Sequence, residues 1–164
     1  VSGVADGSRS ARLEELGIEL PPVTLPVANY VPAVLTGGYV YTSGQLPIEA
    51  GELLSRGHLG AEVHVEEAAA AARVCALNAI AAAAAVAGGV DALVRPVKVT
   101  GFVASAAGFS DQATVINGAS DLLGEVFGAP HARSAVGVAE LPLGAAVEVE
   151  VVFEVGRAAP ADNR

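Results

Sequence analysis

The residues with the most chemistry in them lie near the C-terminal end of the chain. Arg133 heads one valine-containing stretch, and Glu148, Glu150 and Glu154 punctuate the next, from Val147 to Val155. A guanidinium is planar, permanently charged and presents paired N–H donors, a match for a small-molecule carboxylate. A partly buried glutamate nearby can orient a water molecule or hold a proton. On pattern alone a second reading stays open: an arginine at a strand start, solvated or paired with a neighbouring glutamate.

Composition removes several other kinds of chemistry. Cys75 is the only cysteine, so an internal disulfide and a cysteine-cluster metal site are excluded. Its place in an alanine-rich segment predicts a small core residue and not a reactive thiol. His58, His64 and His131 form no HxH or HxxxH pair, so no metal is expected. A formal charge of −9, with only nine Lys and Arg residues, is a poor footprint for binding phosphate backbones, and no nucleic acid partner is expected. The run from Ala68 to Ala87 is apolar but dominated by alanine and interrupted by Arg73 and Asn78, so no membrane span is expected. Val1 to Asp6 show neither a basic start nor an apolar signal core, and a cytoplasmic location is the expectation.

The elements that must position these residues can be read in order. A chain of 164 residues suits one domain with a real core. Val1 to Arg12 reads as loose, Arg12 to Gly17 as one or two helical turns stopped by the glycine, and Pro21-Pro22 as extended. Val31–Leu35 and Tyr39–Ser43 flank Thr36-Gly37-Gly38 and read as a hairpin. Glu49 to His58 is polar and turn-rich and reads as a connection. A helix is predicted over Val65–Ala87, with Glu66 and Glu67 at its positive end and Gly88-Gly89 as its stop. Val94–Ala104 reads as a strand.

A second helix follows, with Ser110 or Asp111 as its cap and Val115, Ile116, Ala119, Leu122, Leu123, Val126 and Phe127 at helical spacing, ending at Gly128. Residues 130–155 read as two strands joined by a Pro/Gly turn, a closing hairpin. The order predicts an α+β single domain, a mixed sheet with two helices packed on one face. The uncovered face of such a sheet needs a lid, and self-association supplies one.

Two separated motifs add a family. Pro130-x-Ala132-Arg133-Ser134, Val138-Ala139-x-Leu141-Pro142 and Val147-Glu148-Val149-Glu150 resemble the C-terminal signature of the RidA family, also called YjgF. Tyr30 and Thr42-Ser43-Gly44-Gln45-Leu46-Pro47 match it upstream. The resemblance covers about Ala28 to Val155, leaving residues 1–27 as an N-terminal extension, 28–156 as the domain and 157–164 as a flexible tail.

The resemblance implies a chorismate-mutase-like fold, a homotrimer with sites in clefts between subunits, and hydrolysis of reactive 2-imino acids or their enamines to 2-keto acids and ammonia without a cofactor. It implies that Arg133 grips the substrate carboxylate and Glu148 places the attacking water. Tyr30 would stand near the opening, Ser43 and Gly44 would touch the ligand, and Asn117 would fall where the family often has asparagine. Ala135 stands where the active branch commonly has cysteine, with its backbone amide still available. Gly137 and Gly144-Ala145-Ala146 are smaller than usual, marking a divergent subgroup. The competing reading is a trimeric small-carboxylate-binding or chaperone-like protein without turnover. A ribonuclease, a label relatives have carried, fits the acidic balance least.

Overall fold

The computed structural model describes residues 7–23 and 29–156. Its first half opens on α1 (Arg9–Glu15), the hairpin β1 (Ala33–Thr36) and β2 (Tyr39–Thr42), the small hairpin β3 (Ile48–Glu49) and β4 (Glu52–Leu53), and α2 (Val65–Ala87). The second half runs β5 (Leu93–Ala104), α3 (Gln112–Phe127), β6 (Ala132–Val138) and β7 (Val147–Val155).

Both long helices run where periodicity and caps predict, and each ends on a left-handed glycine, Gly88 at φ 89° and Gly128 at φ 63°. Gly37 and Gly38, at φ 57° and 84°, supply the two left-handed residues that a tight β1–β2 turn requires.

The principal sheet has the order β1-β2-β7-β5-β6, which corrects the closing hairpin. β6 and β7 are not paired with each other. β7 inserts between β2 and β5, antiparallel to both, while β6 lies parallel to β5 at the sheet edge. The unit β5–α3–β6 is a helical crossover, the usual way of joining parallel strands. The Pro142–Gly144 turn then carries the chain past the end of β5. It is anchored by Gly57 N–H donating to Gly144 O at 3.0 Å and by Arg56 Nη1 donating to Leu143 O. A Pro/Gly turn looks the same in sequence whether the next strand pairs with the last one or skips over a neighbour.

The stretch read as a connection also holds the β3–β4 hairpin, turning through Ala50 and Gly51 at φ 51° and 85°. Strands of two residues are too short for alternation to show. At the N-terminus, the segment expected to be loose up to Arg12 is helical from Arg9. Ser8 Oγ accepts from Ala11 N–H at 3.2 Å, Ser10 binds Asp91 through its N–H and hydroxyl, and Leu13 is buried. The Gly/Ser composition that suggested disorder includes an N-cap. The expected tail at 157–164 lies outside the described residues.

β7 organises the core: Val147, Val149, Val151 and Phe153 are buried against α2 and α3, together with Val99 and Val103 of β5. α2 is apolar enough to match a membrane span in length and hydropathy, but half of its apolar window is buried in the fold, where it serves as the core helix. Its alanines let α3 approach until Gly118 meets the backbone carbonyl of Ala69, and an added Cβ at 118 would overlap that carbonyl. Gly118→Ala is therefore expected to destabilise the fold by about 1–3 kcal/mol, because overpacking against an immovable backbone outweighs the ~1 kcal/mol helix-propensity gain. Urea unfolding of the variant checks this, and an unchanged midpoint would refute it.

The opposite face of the sheet carries Lys98, Thr100, Phe102, Glu148, Glu150 and Val152. There Val34, Tyr39, Tyr41 and Val136 remain 39–50% exposed.

Candidate small-molecule site

Arg133 stands on β6 opposite Val99, a fully buried residue of the helix-facing side, so its side chain rises on the same side as α3. There Nη1 donates to Asn117 Oδ1 at 2.8 Å and to Ser120 Oγ at 3.2 Å. Residues three apart share a helix face, and α3 thus offers both oxygens side by side. Both are uncharged, so the guanidinium keeps its full charge. The alternative of an arginine paired with a strand glutamate falls away for Arg133; it is Arg95 that pairs with Glu154, at 2.7 Å.

Asn117 is therefore a partner of the arginine. Ser120 was missed, although its spacing from Asn117 on the polar side of a clearly amphipathic helix was visible. Ala135 shares the face of Arg133, pairs with Gly101 and packs at the edge of the core.

Glu148 lies on β7 between buried Val147 and Val149, and alternation turns it to the opposite face. It is half-buried. Burial, and after it the charge of Glu150, push its carboxyl above the ordinary range, with no hydrogen bond offsetting them. Gly44 presses directly on this carboxylate, and a Cβ there would overlap Glu148 Oε1. Gly44 is held in place because its neighbours are strapped down. Gln45 exchanges backbone hydrogen bonds with Val149 at 2.8 and 3.0 Å, and Ser43 binds Pro32 O through its N–H and Val31 O through its hydroxyl. The Ser43 hydroxyl hydrogen is thus spent on the hairpin base.

Beside this strap, Tyr30, Pro32, Gly44, Gln45, Leu46, Ile48 and Asn78 line a cleft of about 90 Å³. Asn78 Nδ2 braces it by donating to Leu46 O and Ile48 O at 3.0 and 2.9 Å. Tyr30, 56% exposed, stands at its edge.

The expected residues thus fall into two groups. Tyr30, Ser43, Gly44 and Glu148 cluster in one region; Arg133, Asn117 and Ala135 form another. Glu148 pairs with Phe102 and Arg133 is opposite Val99, an odd separation of three on β5, so the two side chains leave opposite faces. They are also separated by roughly 10 Å along the strands and roughly 10 Å across them. Within one chain they cannot reach the same small ligand.

Cys75 is fully buried, with Sγ 3.9 Å from Val147 O. Burial pushes its thiol well above the usual range, and the charge of Glu148 adds to the effect. Alkylating reagents are therefore expected to label the native protein slowly, at the rate set by unfolding. Rapid labelling by iodoacetamide without denaturant would overturn this.

A mixed sheet with its helices on one face, entered by a glycine-turned hairpin and closed by an edge strand parallel to β5, defines the class of the YjgF/chorismate-mutase-like fold. The chain belongs to the YjgF/chorismate mutase-like, putative endoribonuclease family, whose model matches residues 10–155. It is 46% identical to protein TCP17 of Trypanosoma cruzi over 158 residues, 94% of this chain and 99% of that one. Among solved structures, Atu1372 of Agrobacterium tumefaciens, a protein of unknown function, shares 45% identity with TM-score 0.79 over 91% of this chain and 94% of its own. E. coli TdcF, solved with bound serine, shares 26% identity with TM-score 0.60, covering 82% and 94% of the two chains.

Proposed function

We propose that this protein hydrolyses 2-imino acids, or their enamine tautomers, to 2-keto acids and ammonia, at sites assembled between subunits of a homotrimer. The observation that carries the reading is Glu148: a half-buried carboxyl lifted above its ordinary range, pressed on a glycine and without a cationic partner among the described residues, is suited to taking and returning a proton. Arg133 complements it with an undivided charge for a carboxylate. Because one chain presents the two on opposite faces, the complete site takes Arg133 from one copy and Glu148 from another. The serine bound to TdcF, itself a carboxylate, is consistent with such a ligand class. The formal charge of −9 argues against RNA as the substrate.

The reaction needs no metal, redox step or covalent intermediate. Water attacks C2 of the protonated imine as Glu148 takes one of its protons, and the C=N π pair moves to nitrogen, giving a carbinolamine. Glu148 returns that proton to nitrogen, the C–N bond breaks with its pair leaving on ammonia, and the hydroxyl oxygen closes the C=O bond as its proton passes to Glu148 and then to ammonia. Arg133 contributes proximity by fixing the carboxylate next to the reacting carbon. Ala135, where the active branch of the family commonly has cysteine, takes no step.

The test is a coupled assay in which an amino-acid oxidase generates 2-iminopropanoate and other imines, with keto-acid release as the readout and light scattering as the measure of assembly. Accelerated release by a trimer supports the reading. A stable monomer removes the proposed site, and pyruvate binding by a trimer without acceleration on any imine replaces the hydrolase with the carboxylate-binding protein.

A further inference from the structure

The two oxygens on α3 do more than anchor the arginine. A guanidinium has five N–H donors. Nη1 spends its pair on Asn117 Oδ1 at 2.8 Å and Ser120 Oγ at 3.2 Å, while Nε and Nη2, without a hydrogen bond among the described residues, are left for a ligand. Nη1 is the terminal nitrogen on the side away from the Nε/Nη2 edge, so that edge, which can face a carboxylate with two parallel bonds, stays complete. From this geometry we infer that Ser120 is a positioning residue of the carboxylate subsite. Together with Asn117 it stops the guanidinium turning about its long, flexible stem and presents the Nε/Nη2 edge outward.

The cradle is selective because it is neutral. A carboxylate in place of either oxygen would hold the arginine equally firmly, but it would cancel the charge that recognises an anion and would repel a second carboxylate. The hydroxyl also differs from the amide in what it can do. Ser120 is one turn farther along α3 and closer to the end of the helix, so the two contacts meet Nη1 from different directions and fix the plane of the fork as well as its position. One contact alone would leave the plane free to swing. The inference rests on Arg133 being the carboxylate grip of the proposed function, and it names what makes that grip specific.

The experiment compares the parent with Ser120→Ala, Ser120→Thr, Asn117→Asp and Arg133→Ala. Calorimetric binding of pyruvate and of neutral pyruvamide is measured with NMR of the Arg133 Nη protons. Ser120→Ala is expected to weaken pyruvate about 5- to 20-fold, the effect of removing a hydrogen bond to a charged group. Pyruvamide binding should stay unchanged, and in turnover KM should rise with kcat preserved. Ser120→Thr keeps the hydroxyl and should remain within about 3-fold, while Asn117→Asp should lose pyruvate preference altogether. The slow Nη rotation expected in the parent should become fast in Ser120→Ala.

Equal weakening of pyruvate and pyruvamide by Ser120→Ala, or none, overturns the inference. If Arg133→Ala abolishes pyruvate binding while Ser120→Ala does not, only the positioning role fails. If the parent binds no carboxylate, the proposed function fails, and restricted Nη rotation lost in Ser120→Ala then shows a structural cradle only, which also overturns the positioning role.

Discussion

Arg133→Ala is expected to weaken pyruvate binding by about 30- to 1,000-fold, or about 2–4 kcal/mol, because a charge-assisted contact in a partly dry cleft is lost. The size follows from what holds the arginine. Asn117 and Ser120 take one nitrogen and neutralise nothing, so both the charge and the paired donors are free for the ligand. Arg133→Lys is expected to recover only a small part of the loss, since an ammonium cannot reproduce a two-donor edge or bridge the two α3 oxygens in the same plane. Stability should barely move in either variant, as Arg133 makes only these two side-chain hydrogen bonds among the described residues, to partly exposed α3 oxygens, and thermal unfolding is the control. Undiminished pyruvate affinity in Arg133→Ala would show that the carboxylate is held elsewhere.

Most of what positions Arg133 is legible in the amino-acid sequence. The helices Val65–Ala87 and Gln112–Phe127 announce themselves through alanine density, helical spacing and a glycine at each end. The β1–β2 hairpin is legible for the same kind of local reason, since Gly37-Gly38 supplies the two left-handed residues that its tight turn needs. Strand partnership is a different matter. Val147 to Val155 alternates clearly, yet alternation reports that one face is buried and not which strands lie to either side. The insertion of β7 between β2 and β5 is settled by long-range pairing that no local pattern encodes.

That single difference propagates to the site. Placed in a hairpin, Arg133 and Glu148 look like neighbours on one surface. Placed by their registers opposite Val99 and beside Phe102, they leave opposite faces. Motif matching supplied the residue types, while face parity, which depends on β5 lying between the two strands, separates the two groups within one chain. Ser120 escaped for another reason: its spacing from Asn117 marks a shared helix face, but only the arginine lying over that face makes the two oxygens a cradle.

Glu148→Gln is expected to abolish keto-acid release while leaving pyruvate binding within a few-fold, because the amide keeps the shape against Gly44 but cannot accept the proton of the attacking water. Rate against pH should separate a base from a mere spacer. The parent's kcat should climb with pH through the Glu148 pKa, which burial first and Glu150 second hold above the ordinary carboxylate range. Glu150→Gln removes the second cause and should move that limb to lower pH, whereas Glu148→Gln should leave none.

The same shift makes a stability prediction of determined sign. Folded Glu148 keeps its proton to higher pH than the unfolded chain does, so between the ordinary and the raised pKa the folded state holds more protons and unfolding free energy falls as pH rises. This stabilising contribution is fully present below the ordinary value and lost above the raised one. Glu148→Gln should therefore gain stability relative to the parent on going from acid to neutral pH, in urea titrations at matched assembly state. Gly44→Ala, which forces the carboxylate aside, should lose turnover with Glu148 still in place. Turnover by Glu148→Gln equal to the parent's, with the acid limb intact, would assign the proton transfer to another group and remove Glu148 from the mechanism.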